Sequence, residues 1–304
     1  METEVWRLHE ELVSGVYRPG CYTYFKIYEP KERVVAAAPF RDRVVHHALV
    51  RVLQPIFEPR FIEDSFACRP GKGTHAGMRR AAEFARRFPY VLKCDIKRYF
   101  PNIDHKILLA AIERVVADQQ VLDLIRRILA SHRNGFRRAY GESLFDTEEI
   151  SVGLPIGNLT SQFFANIHLD GFDHFVKQDL RIKGYVRYVD DFLIFAPDRR
   201  TARLFGAATR EYLRRLRLEI HPDKYRLCSS AGGVDFCGFV VRSDGRIRVR
   251  RESVRRFQRK LLHRKWQWKS GKCEASDVQA TVQAWIGHVS HAQSWRLRSK
   301  VFAS

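Results

Sequence analysis

Apolar positions along the chain fall into short periodic runs separated by glycine and proline punctuation at Arg18-Pro19-Gly20, Arg69-Pro70-Gly71, Gly153-Leu154-Pro155 and Gly232-Gly233. Residues 43–57 (RVVHHALVRVLQPIF) place Val44, Ala48, Val52 and Ile56 at a spacing of four, on one face of a predicted helix. Residues 90–96 (YVLKCDI) predict a short buried strand ending in a carboxylate. Pro101-Asn102-Ile103-Asp104 reads as the turn before a predicted helix over 105–133. After the break at Gly153-Leu154-Pro155, a long apolar-faced helix is predicted over 159–180. Tyr185-Val186-Arg187-Tyr188 and Phe192-Leu193-Ile194-Phe195-Ala196 are rich in aromatic and β-branched residues, and predict a hairpin around Val189-Asp190-Asp191. A helix near 201–216 and strands near 218–228 and 234–249 complete this part. Strand, helix, hairpin, helix and strand in succession predict an α+β fold. Past residue 245 the pattern turns helical again, with Val254, Phe257 and Leu261 on one face.

That last stretch also changes in charge: eleven Lys or Arg lie between Arg246 and Lys269 against one acid, Glu252. It reads as a small basic helical lobe. The whole chain of 304 residues has 54 Lys plus Arg against 34 Asp plus Glu, a net charge of +20. Such a surplus suits a polyanionic partner, most often nucleic acid, because neutralising phosphates releases counterions; a basic protein of another kind is the plain alternative. The length allows one large multi-lobed domain or two modest ones, with a core that needs no staples. Six cysteines without a CxxC pair read as reduced, mostly buried thiols rather than a disulfide framework or a metal knuckle. With no signal pattern at the N-terminus and no run near 18 apolar residues, the sequence predicts a soluble, cytoplasmic protein without a membrane partner.

Two adjacent aspartates at a hairpin tip, Asp190 and Asp191, are costly to place together unless a cation neutralises them. Asp95 ends a separate strand. Two strands presenting carboxylates to one spot suit two-metal phosphoryl transfer. Taken alone, Asp-Asp is more often a solvated turn.

The surroundings decide between these readings. Tyr188-Val189-Asp190-Asp191 resembles the YxDD box of reverse transcriptases, and Asp95-Ile96-Lys97-Arg98-Tyr99-Phe100 resembles their first carboxylate motif. Gly153-Leu154-Pro155-Ile156-Gly157-Asn158-Leu159-Thr160-Ser161-Gln162 resembles their third signature, and the likeness runs from about residue 17 to residue 295. Residues 17–47 and 64–75 are similar to group II intron and related bacterial enzymes. Most members carry a glutamine where this chain has Ile156, and end that box in Ser-Pro rather than Ser161-Gln162. The form seen here resembles the reverse transcriptases of diversity-generating retroelements, which copy a template RNA with errors at adenines.

The resemblance implies a right-hand polymerase: fingers over 1–89, a ferredoxin-like palm over 90–240 with the helical segment 105–150 partly in the fingers, and a short helical thumb over 241–304. It implies two Mg²⁺ ions, with Mn²⁺ as the alternative, on Asp95, the Ile96 carbonyl, Asp190 and Asp191. Lys224 resembles the family lysine near the pyrophosphate leaving group. Phe100 takes the place of the steric gate under the sugar, with core packing as its alternative. Ile156 and Gly157 lie where the nascent pair is held. Arg33 and Arg43 are placed to hold the triphosphate, or else form a solvated basic face. Phe236 and Gly238, in Phe236-Cys237-Gly238-Phe239, resemble the primer grip. Arg255, Arg256, Arg259 and Lys260 fall in the thumb as phosphate contacts, and Trp266, Trp268, Trp285 and Trp295 serve there in packing or stacking.

Partners follow from the same likeness: template RNA, nascent cDNA, deoxynucleoside triphosphates and a small, basic, helical accessory protein. With so little chain after the palm, maturase and endonuclease extensions are not expected. Two tempting motifs fail. Gly71-Lys72-Gly73-Thr74 lacks phosphate-loop spacing, and His46-His47 and His263 have no partner at metal-ligand spacing. The rival readings are a group II intron, retron or defence-type reverse transcriptase, and a non-catalytic basic RNA-binding protein on a decayed polymerase scaffold.

Overall fold

The computed structural model describes residues 2–28, 32–132, 137–140 and 148–302. In chain order the elements are α1 (Glu2–Val13), β1 (Thr23–Ile27), β2 (Arg33–Ala37), α2 (Phe40–Phe57), α3 (Thr74–Arg87), β3 (Tyr90–Asp95), α4 (Tyr99–Asn102), α5 (His105–Glu113) and α6 (Gln119–Ser131). There follow β4 (Arg137–Tyr140), β5 (Glu148–Ser151), α7 (Leu159–His174), β6 (Gly184–Tyr188), β7 (Asp191–Ala196) and α8 (Arg199–Arg215). The last are β8 (Arg226–Ser229), β9 (Val234–Phe236), β10 (Phe239–Val241), β11 (Ile247–Val249), α9 (Arg251–Lys269), α10 (Ala275–Val289) and α11 (Trp295–Phe302). The chain divides into two compact units: Met1–Glu63 with Ile96–Leu180 and Ala208–His221, and Asp64–Asp95 with Arg181–Ala207 and Pro222–Ser304.

The second unit is built on a four-stranded antiparallel sheet in the order β6-β7-β3-β8. Its central strands carry almost unbroken apolar runs, as a sheet covered on both faces requires. Helix α3 packs Met78, Ala81, Phe84 and Ala85 onto Val91, Val186, Leu193 and Phe195, and the same core takes in Val234, Phe236, Phe239 and Val241 from the small sheet β11-β10-β9. Helices α9 to α11 hold a separate core of Phe257, Leu261, Trp285, Val289 and Val301, in which Phe257 and Trp285 stack at 4.1 Å.

In the first unit α2 packs on α7, with Phe57 edge-on to Phe163 at 5.8 Å. The segment 153–158 is tied to its neighbours by backbone bonds: Gly153 N to Ile103 O (2.9 Å), Leu154 N to Phe100 O (2.8 Å) and Ala36 N to Ile156 O (2.8 Å). Asn158 Nδ2 donates to the Ala36 carbonyl at 3.0 Å. Gly157 lies at φ +117°, and a Cβ there would stand 2.8 Å from Val35 Cγ1. Only glycine fits that conformation and that approach.

Several sequence expectations change. The apolar stripe Val44, Ala48, Val52, Ile56 of α2 is exposed, whereas Val45, Leu49, Leu53 and Phe57, one position on, are buried. The predicted helix over 105–133 is two helices, because Val115 and Val116 disfavour helix and Asp118 caps a new one by accepting from Val121 N. Its last position, Arg133, lies outside the described residues. Within the segment 105–150, β4 and β5 form an antiparallel ladder rather than helix. Strand structure near 218–228 is confined to β8 and one bridge between Ile220 and Ile96, since Pro222 removes a donor and a 3₁₀ turn spans Pro222–Lys224. Among the cysteines only Cys94 is buried; Cys21 and Cys68 are exposed. Of the four tryptophans past residue 245 only Trp285 is core, and Trp266, Trp268 and Trp295 are exposed.

Candidate active site

Strands β3 and β7 lie side by side in a register that sets Asp95 directly opposite Asp191. Asp190 precedes Asp191 at the tip of the β6–β7 hairpin, where Tyr188 pairs with Asp191 and leaves a loop of two residues. Val189, the first of these, has φ +55°. Two-residue turns with positive φ at this position favour glycine, and a β-branched residue held there stores about 1–3 kcal/mol of strain.

Each paired carboxylate faces a lysine. Lys224 Nζ donates to Asp95 Oδ2 at 2.6 Å, reaching it from the 3₁₀ turn that precedes β8. Lys93 Nζ lies 3.5 Å from Asp191 Oδ2 and donates to the Asp235 carbonyl at 2.7 Å. Burial, reinforced by the charges of Asp95 and Asp190, pushes the Asp191 carboxyl up to about 7, against the pull of Lys93. The Cys237 thiol is raised chiefly by burial and then by the charge of Asp191.

Among the described residues no group of three or more His, Cys, Asp or Glu side chains already converges on one metal position. The donors present nonetheless fit a hard divalent cation. All are carboxylate oxygens, and Asp191 Oδ1 is buried without a hydrogen-bond partner. Such an orphaned acceptor costs free energy until a cation or donor reaches it.

A model of the reverse transcriptase (RNA-dependent DNA polymerase) family matches residues 28–241. The chain belongs to this family. Among curated relatives, the protein YkfC of Escherichia coli is 28% identical over 189 residues, covering 59% of this chain and 46% of its own. The group II intron-encoded protein LtrA of Lactococcus lactis is 27% identical over 180 residues, covering 58% and 29%. The chain thus spans less than half the length of these relatives. Among solved structures, telomerase from Candida albicans in complex with a fragment of telomeric RNA matches 86% of this chain and 52% of its own at a TM-score of 0.55, with 12% identity. Apo telomerase from Candida tropicalis, truncated from its C-terminal domain, gives 0.56 over 81% and 60%. The fold of the chain is the right-hand polymerase fold, and the family generally uses divalent metal ions. No helix among the described residues is long and apolar enough to cross a membrane.

The sequence-predicted residues fall in both units. Asp95, Asp190, Asp191 and Lys224 meet in the second. Phe236 is fully buried in the core there, so its ring is not open to nucleic acid; the turn it leads into, Cys237-Gly238, has positive φ at both residues. Arg255, Arg256, Arg259 and Lys260 are all exposed on α9. In the first unit Phe100 is half-buried, its carbonyl bonded to Leu154 two residues before Ile156, and Ile156 and Gly157 flank β2. Arg33 is exposed on β2, and Arg43 on the first turn of α2, where its guanidinium lies 5.6 Å from the Phe40 ring. Ile96 directly follows Asp95.

Sequence reasoning missed Lys93. Its signal was there: it stands two residues before Asp95 in a strand, hence on the same face. Arg187 was also missed. It is fully buried, and its Nη1 donates to the Val189 carbonyl at 3.0 Å.

Proposed function

We propose that this protein is an RNA-directed DNA polymerase that synthesises cDNA on a template RNA from deoxynucleoside triphosphates. The observation that carries this reading is the register of Asp95 against Asp191, with Asp190 beside them and Lys224 bonded to Asp95. The primer 3′-hydroxyl oxygen attacks the α-phosphorus, the bond to pyrophosphate breaks, and the hydroxyl proton leaves to solvent. Asp95, the Ile96 carbonyl, Asp190 and Asp191 would hold two Mg²⁺ ions, Mn²⁺ being the alternative. When bound, these supply the charge that activates the hydroxyl and balances the triphosphate.

The protein groups act around that chemistry. Lys224 offers a cation to the departing pyrophosphate. Arg33 and Arg43 hold the triphosphate, Phe100 excludes a ribose 2′-hydroxyl, and Ile156 and Gly157 pack against the nascent pair. The Cys237-Gly238 turn seats the primer end, while the basic face of α9 binds backbone phosphates. In this reading 1–89 are fingers, 90–240 palm and 241–304 thumb, and a small basic helical accessory protein completes the complex.

The narrower reading is a retroelement enzyme that errs at template adenines, and Ile156 supports it. Isoleucine fills the space of the family glutamine but offers no hydrogen bond, a loss of about 0.5–1.5 kcal/mol in positional restraint. The relatives named as intron-encoded proteins favour the alternative, an intron-, retron- or defence-type enzyme. Sequencing cDNA made on one RNA template by wild type and Ile156→Gln separates them. A high adenine error rate that falls several-fold in the variant supports the first; low error in the wild type supports the second.

A further inference from the structure

We propose that Arg187 is the positioning residue of the carboxylate turn: its buried guanidinium holds the Val189 carbonyl and so keeps Asp190 and Asp191 where they can take a divalent cation. This deepens the polymerase reading and rests on it for the role of the turn.

Three observations converge on Arg187. It is the largest fully buried side chain among the described residues, at 0% exposure, and is the fourth of the five residues of β6, between Val186 and Tyr188. A long cation in such a place needs a reason beyond packing, because apolar side chains of similar volume do that without losing hydration. Its Nη1 donates to Val189 O at 3.0 Å, a bond that arches over Tyr188 to the residue just outside the strand. Its backbone is clamped as well, with Arg187 N bonded to Asp64 O and Phe66 N to Arg187 O, both at 3.0 Å. The guanidinium therefore projects from a fixed base.

What it grips is the least comfortable residue of the turn. Val189 has φ +55° while Asp190 is not among the positive-φ residues, the pattern of a two-residue turn that favours glycine first. A β-branched residue left to itself would leave that conformation and carry the Asp190 and Asp191 carboxylates with it. The charge-assisted bond to its carbonyl opposes that relaxation. Arginine suits the task because its rigid fork spans a fixed distance, which the single ammonium of lysine does not reproduce.

The strain supplies the control. Glycine adopts positive φ without penalty, so Val189→Gly should let the turn keep its shape without the guanidinium. The test compares wild type, Arg187→Lys and the double variant Arg187→Lys/Val189→Gly in the full chain. Mn²⁺ binding is read from the resonance of the free ion, alongside primer-extension kcat and KM and thermal melting. Arg187→Lys is expected to weaken Mn²⁺ binding and lower kcat, each about tenfold or more, with KM for nucleotide within twofold. The double variant is expected to recover most of both losses. Unchanged Mn²⁺ affinity in Arg187→Lys, or a further loss in the double variant, overturns the proposal. If the single variant does not fold, the double variant decides: a folded protein with wild-type Mn²⁺ affinity supports the proposal, and a second unfolded protein assigns Arg187 to the core alone. The Mn²⁺ readout needs no polymerisation, so a wild type that binds Mn²⁺ but extends no primer sinks the polymerase reading and leaves Arg187 judged on its own.

Discussion

Lys224 and Asp95 form a direct ion pair, Nζ to Oδ2 at 2.6 Å, between the 3₁₀ turn before β8 and the end of β3. The lysine is partly exposed, so the pair is worth about 0.2–1 kcal/mol. It competes with any divalent ion for the same oxygen. Lys224→Met should therefore tighten Mn²⁺ binding by up to about fivefold, that energy expressed as affinity, while lowering primer extension through loss of the cation at the leaving group. Weaker Mn²⁺ binding in the variant would contradict the competition.

Asp191 gives a pH dependence whose sign is fixed. Its carboxyl titrates at about 7 in the fold against an ordinary 3.8, so the folded chain binds the proton more tightly than the unfolded chain. Folding stability from this group is thus full below pH about 4, is lost progressively as pH rises to about 7, and stays low above that. Asp191→Asn removes the penalty. In metal-free buffer its gain in Tm should be small at pH 4, grow towards pH 7 and level off at several degrees above it. Excess Mg²⁺ should stabilise the wild type and erase the difference. A gain that is the same at pH 4 and pH 8 would mean that the carboxylate is not destabilised in the fold.

Gly157 makes a test of the first unit by itself. Alanine there meets both a φ of +117° and Val35 Cγ1 at 2.8 Å. Gly157→Ala should destabilise by about 1–3 kcal/mol, and Val35→Ala in the same chain should return only part of this, because it removes the collision but not the backbone strain. Complete rescue by Val35→Ala would show that the collision was the whole effect.

The hairpin was legible from its two strand-like runs and short loop, whereas the grouping of Asp95 with Asp190 and Asp191 was legible only through the motifs around them, which resemble those of reverse transcriptases. The α2 face was harder to read. Two apolar stripes run along that helix one residue apart, and spacing alone does not say which packs on α7. Lys93 and Arg187 escaped notice because a polar residue inside a strand looks like ordinary alternation; only the partner across the sheet or at the turn gives it meaning. The packing of the Phe236 ring in the core was not legible, because its motif speaks of a hairpin and not of which side chain fills the space beneath it.

Arg255, Arg256, Arg259 and Lys260 are exposed on α9, a helix that buries Phe257 and Leu261. Their charges can therefore be changed without touching that core. Reversing all four should flatten the dependence of log Kd on log salt for single-stranded RNA, by up to about 0.7 for each phosphate that is no longer neutralised. Melting temperature should change little. An unaltered slope would place these cations on a face that nucleic acid does not reach.

The central claim is that Asp95, Asp190 and Asp191 perform RNA-templated DNA synthesis. Primer extension on an RNA template, with wild type and Asp190→Asn compared at equal RNA occupancy, tests it most directly. Asparagine keeps the shape of the turn and removes one charge, while the net charge of +20 is expected to supply the RNA affinity. The expected result is robust incorporation of deoxynucleotides by the wild type, and a fall of several orders of magnitude in the variant with RNA Kd within about twofold, since the lost charge acts on the transition state. Extension by Asp190→Asn near the wild-type rate, or none by the wild type with Mg²⁺ or Mn²⁺, would contradict it.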